Sequence, residues 1–478
     1  MGNPPWIDWK NLPSNYRLRI KELCIDRRLF SGDTITGGIN LNICALISNV
    51  VAENWLDNDG ILALLMPDAL LIQKTYEGFR NFLIKENGRM YFQELDDWSA
   101  SGSPFLPVTQ PFLTYFISKK EINYNDGIII NRYIKKKNDK LAGVLPLSNY
   151  RSVSIFEHVK HVFDIDKRLA FTTANNSSGF CILNDKDESL YLGRIVGDCS
   201  YRAREGLEFY PQEVFLLHYD NRVARKGHVW VRNYQGFKSK HPVPQQSRML
   251  ETRYLHPLVK GTDISRFSLK DSKFLVPFPY EDMSRSPIPR RNLANECQNL
   301  MKYFNDHQSV LCAQTAYNHK IIGKKHNTEF YAIARVGAYT YGEHFVAFRD
   351  NTKWGAVVVS SLKTPWGEIK RPAFQNHAVA ISQDVDGRFI SREEAHFICA
   401  ILNTPMVARY ILSSSDSRTF KIQPAIRIPL YDEGNLLHAI LVDTSKFAHA
   451  NVGDPSAMHI ADERLDRVYA MLLAELAA

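Results

Sequence analysis

Apolar side chains recur at helical spacing between residues 41 and 56. Ile43, Ile47, Val50 and Val51 fall on one face, which predicts a helix there. Asp57-Asn58-Asp59-Gly60 signals a turn. Ile61 to Met66 is an unbroken apolar run, the pattern of a strand buried on both faces, and Pro67-Asp68 ends it. Over 69–84, Tyr76, Phe79, Phe82 and Leu83 share one face of a further helix, and 111–117 reads as a strand. Helix, buried strand, helix and strand in succession predict part of a doubly wound, Rossmann-like α/β sheet over residues 1–122. From about residue 123 the texture changes. Short β-like stretches at 128–130, 190–192, 214–217, 228–231, 274–276, 345–348 and 356–359 alternate with turns, and helices are expected over 293–304 and 392–402. This predicts a mixed, β-rich α+β domain over 123–440. A helical tail over 441–478 follows: Asp454 suits an N-cap, Pro455 the first helical position, and Leu465, Val468, Leu472 and Leu476 form a stripe. The stripe packs back on the body or binds a partner helix.

Composition narrows the class. The chain has 478 residues, 45% hydrophobic and 23% charged, which is globular and leaves room for about two to four domains. Its longest apolar runs are too short to cross a bilayer, and no charged segment followed by an apolar stretch opens it, so no secretory leader is expected. The seven cysteines are scattered without a C-x-x-C pair, which indicates neither a zinc site nor a disulfide framework and fits a reducing cytoplasm. A net charge of +8 and a pI of about 8.9 are compatible with a polyanionic partner without requiring one.

Candidate chemistry sits at the start. In Asn3-Pro4-Pro5-Trp6 two prolines stiffen the backbone, since each fixes φ and lacks an N–H. A side-chain amide oxygen and a proline carbonyl then present two hydrogen-bond acceptors to one spot. That pair suits the exocyclic amino group of a purine or pyrimidine, and the neighbouring indole offers a stacking surface. A base in a duplex must be flipped out to reach such a pocket. A tetrapeptide of this type arises by chance in about 2% of chains this long, so a plain Pro-Pro turn is the competing reading.

The loop does not stand alone. With it, the sequence resembles the amino-directed adenine DNA methyltransferases, particularly the large enzymes of type IIG and related restriction-modification systems. "INLNICALISNVVAENWL" (39–56), "GILALLMPDAL" (60–70), "YEGFRNFLI" (76–84) and "FLPVTQPFLTYFISKK" (105–120) resemble the segments that follow the motif there. "YRAREGLE" (201–208), "YLHPLVKGTDISRF" (254–267) and "FICAILNTPMVARYI" (397–411) resemble segments of the family's target recognition domain. The resemblance implies that the Asn3 side-chain oxygen and the Pro4 carbonyl accept from the target adenine's amino group. It implies further that Pro5 stiffens the loop, that Trp6 stacks on the flipped base, and that double-stranded DNA is the partner. The methyl group would come from S-adenosylmethionine, with no metal and no covalent intermediate.

The family's glycine-rich cofactor loop lies upstream of the Asn-Pro-Pro motif. Here "FSGDTITGGIN" (30–40) follows the motif, lacks a preceding buried strand and reads as a substrate-side loop, and "SSGFC" (177–181) holds one glycine. The expectation is a chain that begins inside a larger methyltransferase. Met1 would be an internal methionine serving as a start, and an upstream polypeptide would carry the cofactor half. No nuclease is seen, so cleavage is not predicted. The alternative is a non-catalytic DNA-binding specificity subunit that keeps the loop as a relic.

DNA reading would fall to the second half. Arg202, Arg204, Lys260, Arg266, Arg418 and Lys421 are the foremost candidates, with Arg290, Arg291, Lys324, Lys325, Lys370 and Arg371 beside them. For any one of these, a solvated surface charge is the competing reading. Lys135-Lys136-Lys137 reads as a solvated turn, Tyr339 and Tyr341 as core residues or as rings that stack on bases, and His158 and His161 as a pair with no ligand-spaced partner for a metal.

Overall fold

The computed structural model describes the chain except residues 31–40, 85–87, 103–109, 137–161, 173–178, 185–192, 236–242, 314–328, 352, 416–421, 424 and 478. It is mixed α/β, as expected, and divides into two compact units: Met1–Val196 with Tyr410–Thr419, and Gly197–Arg409 with Phe420–Ala478. The boundary is therefore not at 122, and 441–478 is no separate tail.

The first unit holds α1 (Ser14–Asp26), α2 (Ile43–Trp55), β1 (Leu62–Pro67), α3 (Ala69–Ile72), α4 (Glu77–Asn81), β2 (Tyr91–Asp97), β3 (Phe112–Ser118), β4 (Ile128–Lys135), β5 (Phe163–Thr172) and β6 (Phe180–Leu183). Its sheet runs β1-β3-β2-β4-β5-β6. β2 and β4 are parallel, while the other named pairs are antiparallel. The β2–β4 pairing is why the unit continues past residue 122. Under the sheet Phe79, Phe82, Phe92, Tyr115, Tyr124 and Phe180 are all buried, with ring centroids 4.9–6.2 Å apart. Aromatic pairs at that spacing add to the burial of their large apolar areas.

The helix expected over 69–84 is broken. Gln73 is extended and Phe82 is left-handed at φ +39°. Arg80, fully buried, donates to the Leu70 and Gln73 carbonyls at 3.1 and 2.7 Å, which gives the freed backbone acceptors a partner. β2 escaped the apolar pattern because its sequence, YFQELDD, keeps only part of its side chains inside.

The second unit contains β7 (Tyr201–Glu205), β8 (Leu217–Asp220), β9 (His228–Asn233), β10 (Ser247–Glu251), β11 (Leu255–Val259), β12 (Ile264–Ser265), β13 (Ser268–Leu269) and β14 (Phe274–Pro277). β15 (Phe345–Arg349), β16 (Ala356–Val359), β17 (Leu362–Lys363), β18 (Ile369–Lys370), β19 (Ala373–Phe374) and β20 (Ala378–Asp384) follow. One sheet is ordered β10-β9-β8-β14-β11-β19 and another β16-β15-β20-β7. The stretch 214–217 is not a strand: Gln212–Phe215 is helical and β8 starts at Leu217. The helix expected over 293–304 is two, Arg290–Glu296 and Gln298–Asp306, divided at Cys297. The buried Glu251 carboxylate accepts from the Asn299 and Leu300 amides at 2.9 Å, filling donors that a helix start leaves open. The C-terminal helix Pro455–Glu475 starts as expected, with Asp454 accepting from the Ser456 and Ala457 amides. Leu465, Val468 and Leu472 are buried, so the stripe packs within the unit, whereas Leu476 is exposed.

Candidate functional site

The opening segment is held at two points. Gly2 joins the outer edge of β1 as a parallel neighbour: its amide donates to the Ala63 carbonyl at 2.9 Å and its carbonyl accepts from Leu65 at 3.0 Å. Beyond the loop, Ile7 accepts from the Ile43 amide at 2.9 Å and Trp9 donates to the Leu41 carbonyl at 2.6 Å. Asn42 reinforces this second tie. Its side chain caps α2 by accepting from Cys44, and donates to Asp8 at 3.3 Å. Asn3 to Trp6 therefore span a short gap between a strand edge and a helix N-terminus, and Pro4 and Pro5 restrict their backbone further.

Within that span Asn3 is exposed and Pro4 buried. Neither the Asn3 amide nor the Pro4 carbonyl forms a hydrogen bond among the described residues. Trp6 differs. Its indole Nε1 donates to the Leu65 carbonyl at 3.1 Å, and its ring lies 5.8 Å from Phe112 at 41°. The ring is half-buried, so it both anchors the loop to β1 and keeps part of its surface open. Trp6 thus fixes the loop against β1, close in sequence to two acceptors that have no hydrogen-bond partner among the described residues.

Four of the described glycines of this unit are tightly enclosed. A Cβ at Gly60, Gly78, Gly127 or Gly179 would meet Leu56, Arg28, Phe171 or Ile72 at 2.1–2.7 Å, so these positions serve close packing. Among the described residues no group of three or more His, Cys, Asp or Glu could hold a metal ion.

In the second unit the basic candidates separate. Arg202 and Arg204 are exposed on the edge strand β7, and Arg204 lies over Tyr339 at 5.6 Å. Arg266 is engaged inside the unit, donating to the Asn403 carbonyl at 2.8 and 3.2 Å and pairing with Asp462. Lys260 is half-buried with its ammonium 4.8 Å from the Phe274 ring, and burial lowers its pKa against the pull of Asp263. Arg290 pairs with Glu329, Lys370 with Glu368, and Arg371 with Asp282, while Arg291 is exposed. Arg418, Lys421, Lys324, Lys325, Lys137, His158 and His161 lie outside the described residues. Tyr341 is buried and donates to the Ser284 carbonyl, as a core residue should; Tyr339 is half-buried. A sequence reading cannot separate free from paired arginines, because the partners are remote: Asp462 is 196 residues from Arg266.

No family model and no curated protein matches the chain. Solved structures with distant likeness include a complex of DrdV with DNA (11% identity, TM-score 0.36, covering 94% of this chain and 44% of that one). Two others are the ATP-dependent type ISP restriction-modification enzyme LlaBIII bound to DNA (10%, 0.42, 94% and 30%) and a nuclease-deletion mutant of the type ISP enzyme LlaGI with a DNA substrate mimic (10%, 0.40, 94% and 41%). The chain spans less than half of the length of each of these structures.

Proposed function

We propose that this chain is the base-capturing and DNA-reading part of a site-specific adenine DNA methyltransferase of a restriction-modification system. The observation that carries the reading is the pair of unpartnered acceptors, Asn3 Oδ1 and the Pro4 carbonyl, beside a Trp6 ring fixed by Leu65. A flipped adenine stacked on Trp6 would offer its two amino hydrogens to that pair. Both acceptors would hold the nitrogen lone pair toward the methyl donor, and their pull would grow as the nitrogen gains positive charge on forming its bond to carbon. Such preorganised acceptors favour the transition state over the ground state. One amino proton then leaves the methylated nitrogen. S-adenosylmethionine would supply the methyl group, and the reading assigns its pocket to a further segment, in cis or on a partner polypeptide.

The test is methyl transfer to duplex DNA by the reconstituted enzyme, alongside a DNA-binding titration at fixed salt. Asn3→Ala is expected to lower the rate by roughly two orders of magnitude or more, the scale for loss of one preorganised polar partner, with DNA affinity little changed. Intact methylation in that variant would reduce the loop to a structural turn and leave a binding subunit without this chemistry.

A further inference from the structure

Several cations gather on one face of the sheet that holds β8, β9 and β14, and of these only Lys260 lies in a segment singled out from the sequence. In β9 the buried residues are Val229, Val231 and Asn233, so His228, Trp230 and Arg232 point to the other side of the sheet. Register extends that side across its neighbours. Arg232 stands opposite His218 of β8 and Ser247 of β10, and Trp230 stands opposite Asp220 and Met249. Lys260, at the end of β11, and Lys273, just before β14, complete the group. Burial, with the positive charges of Arg232, Lys260 and Lys273 nearby, lowers the pKa of His218 against a hydrogen bond to the Lys273 backbone.

The aromatic rings here hold the cations. Arg222 lies 4.2 Å from the Trp230 ring, and Lys260 4.8 Å from Phe274, which is itself 4.5 Å from His218 and 5.5 Å from Tyr234. Opposing carboxylates are already engaged: Asp220 by Arg222 at 2.8 Å, and Asp263 by the Lys260 amide at 2.9 Å. Arg232 and Lys273 are exposed and form no ion pair among the described residues. Past Trp230 and Met249 a groove of about 310 Å³ runs along β10 and reaches the exposed Lys302.

We infer that this face, carried by β8, β9 and the start of β14, is a docking surface for the phosphate backbone of duplex DNA, a role that rests on the methyltransferase reading. Its charges are spread over neighbouring strands, about 4.8 Å apart, rather than converged on one point. A single small anion would leave most of them uncompensated, whereas a polyphosphate chain meets them in series. Cations stacked on rings also lose less side-chain freedom on binding, which favours a fixed track for the backbone. Such contacts set register and affinity and carry no base sequence. Base reading would then fall elsewhere in the unit, with the exposed Arg202 and Arg204 available for it.

The experiment uses the full chain and a short duplex of mixed sequence, with the association constant measured across a salt series. Arg232→Ala/Lys273→Ala should make the slope of log K against log salt shallower by about two, one for each phosphate that is no longer neutralised. Arg232→Glu/Lys273→Glu should abolish measurable binding at the same salt. Both residues are exposed, so an unchanged thermal unfolding midpoint identifies a loss at the surface. An unchanged slope in the alanine pair would overturn this surface while leaving the base-capture loop intact. Conversely, slope loss together with methylation that survives Asn3→Ala would keep the surface and defeat the catalytic reading. Binding to anionic lipid vesicles without binding to DNA would overturn the inference and reassign the face to a membrane.

Discussion

Trp6 has one role shown by the structure and a second given it by the proposed function, and they can be separated. Its N–H ties the loop to Leu65 and its half-buried ring packs near Phe112, while stacking on an extruded base is the proposed role. Trp6→Phe should keep most of the stacking and lose the tether, so adenine capture weakens modestly. Trp6→Ala should cost roughly 1–3 kcal/mol of base capture, the range for base–aromatic stacking, and should also loosen the loop. Fluorescence of a 2-aminopurine placed at the target position reports extrusion in each variant. Equal extrusion by wild type and Trp6→Ala would remove Trp6 from the site. The tetrapeptide itself was legible from sequence because its chemistry is local. Its anchoring was not, since Leu65 is 59 residues away.

Elements with strong local patterns came through with small shifts. The helix expected over 41–56 is Ile43–Trp55, the run 61–66 is β1, and Phe345, Ala356 and Arg392 begin elements where their patterns place them. In two of the failures a side-chain contact accompanies the break: Arg80 within 69–84 bonds carbonyls 7 and 10 residues before it, and the distant Glu251 caps the helix that restarts after Cys297. Backbone contacts constrain Gly78. A Cβ there would lie 2.1 Å from the Arg28 carbonyl oxygen, and backbone cannot move aside cheaply. Gly78→Ala is expected to destabilise the first unit by about 1–3 kcal/mol, read as a lower denaturation midpoint; an unchanged midpoint would show that α4 does not pack as described.

A second element-scale prediction concerns pH. His396, on the helix Arg392–Asn403, is buried, and burial together with nearby His449, Lys446 and Arg392 lowers its pKa to about 4. It meets Ser445 Oγ at 3.1 Å. His449 accepts from the Val358 amide through Nε2, which leaves its Nδ1 as the donor to the Ser445 carbonyl. The unfolded imidazole titrates near 6.5 and binds the proton first as pH falls. Stability is therefore complete above about pH 6.5 and declines toward pH 4, by on the order of 3 kcal/mol from His396. Urea titrations from pH 7 to pH 4.5 check this: the midpoint should fall, and less so in His396→Gln. A midpoint that rises with acid would contradict it.

At the scale of the whole molecule the sequence indicated two functional layers, one to take hold of a base and one to read DNA. It placed their border at 122, because the parallel pairing of β4 with β2 leaves no trace in a hydrophobic pattern. It also favoured basic residues within the quoted motifs. Of the residues it favoured, Arg266 in a quoted motif and Lys370 and Arg371 outside one are ion-paired inside the second unit, whereas Arg232 and Lys273, which it did not favour, stand exposed on a sheet face. The central claim is that Asn3 and Pro4 hold an adenine for methylation. The most direct measurement is a genome-wide map of N6-methyladenine in the source organism, comparing the intact gene with an Asn3→Ala allele. The account predicts that one sequence motif loses its methylation while the variant protein accumulates and still binds DNA. If every methylated motif persists at its original level in the Asn3→Ala strain, the claim is wrong.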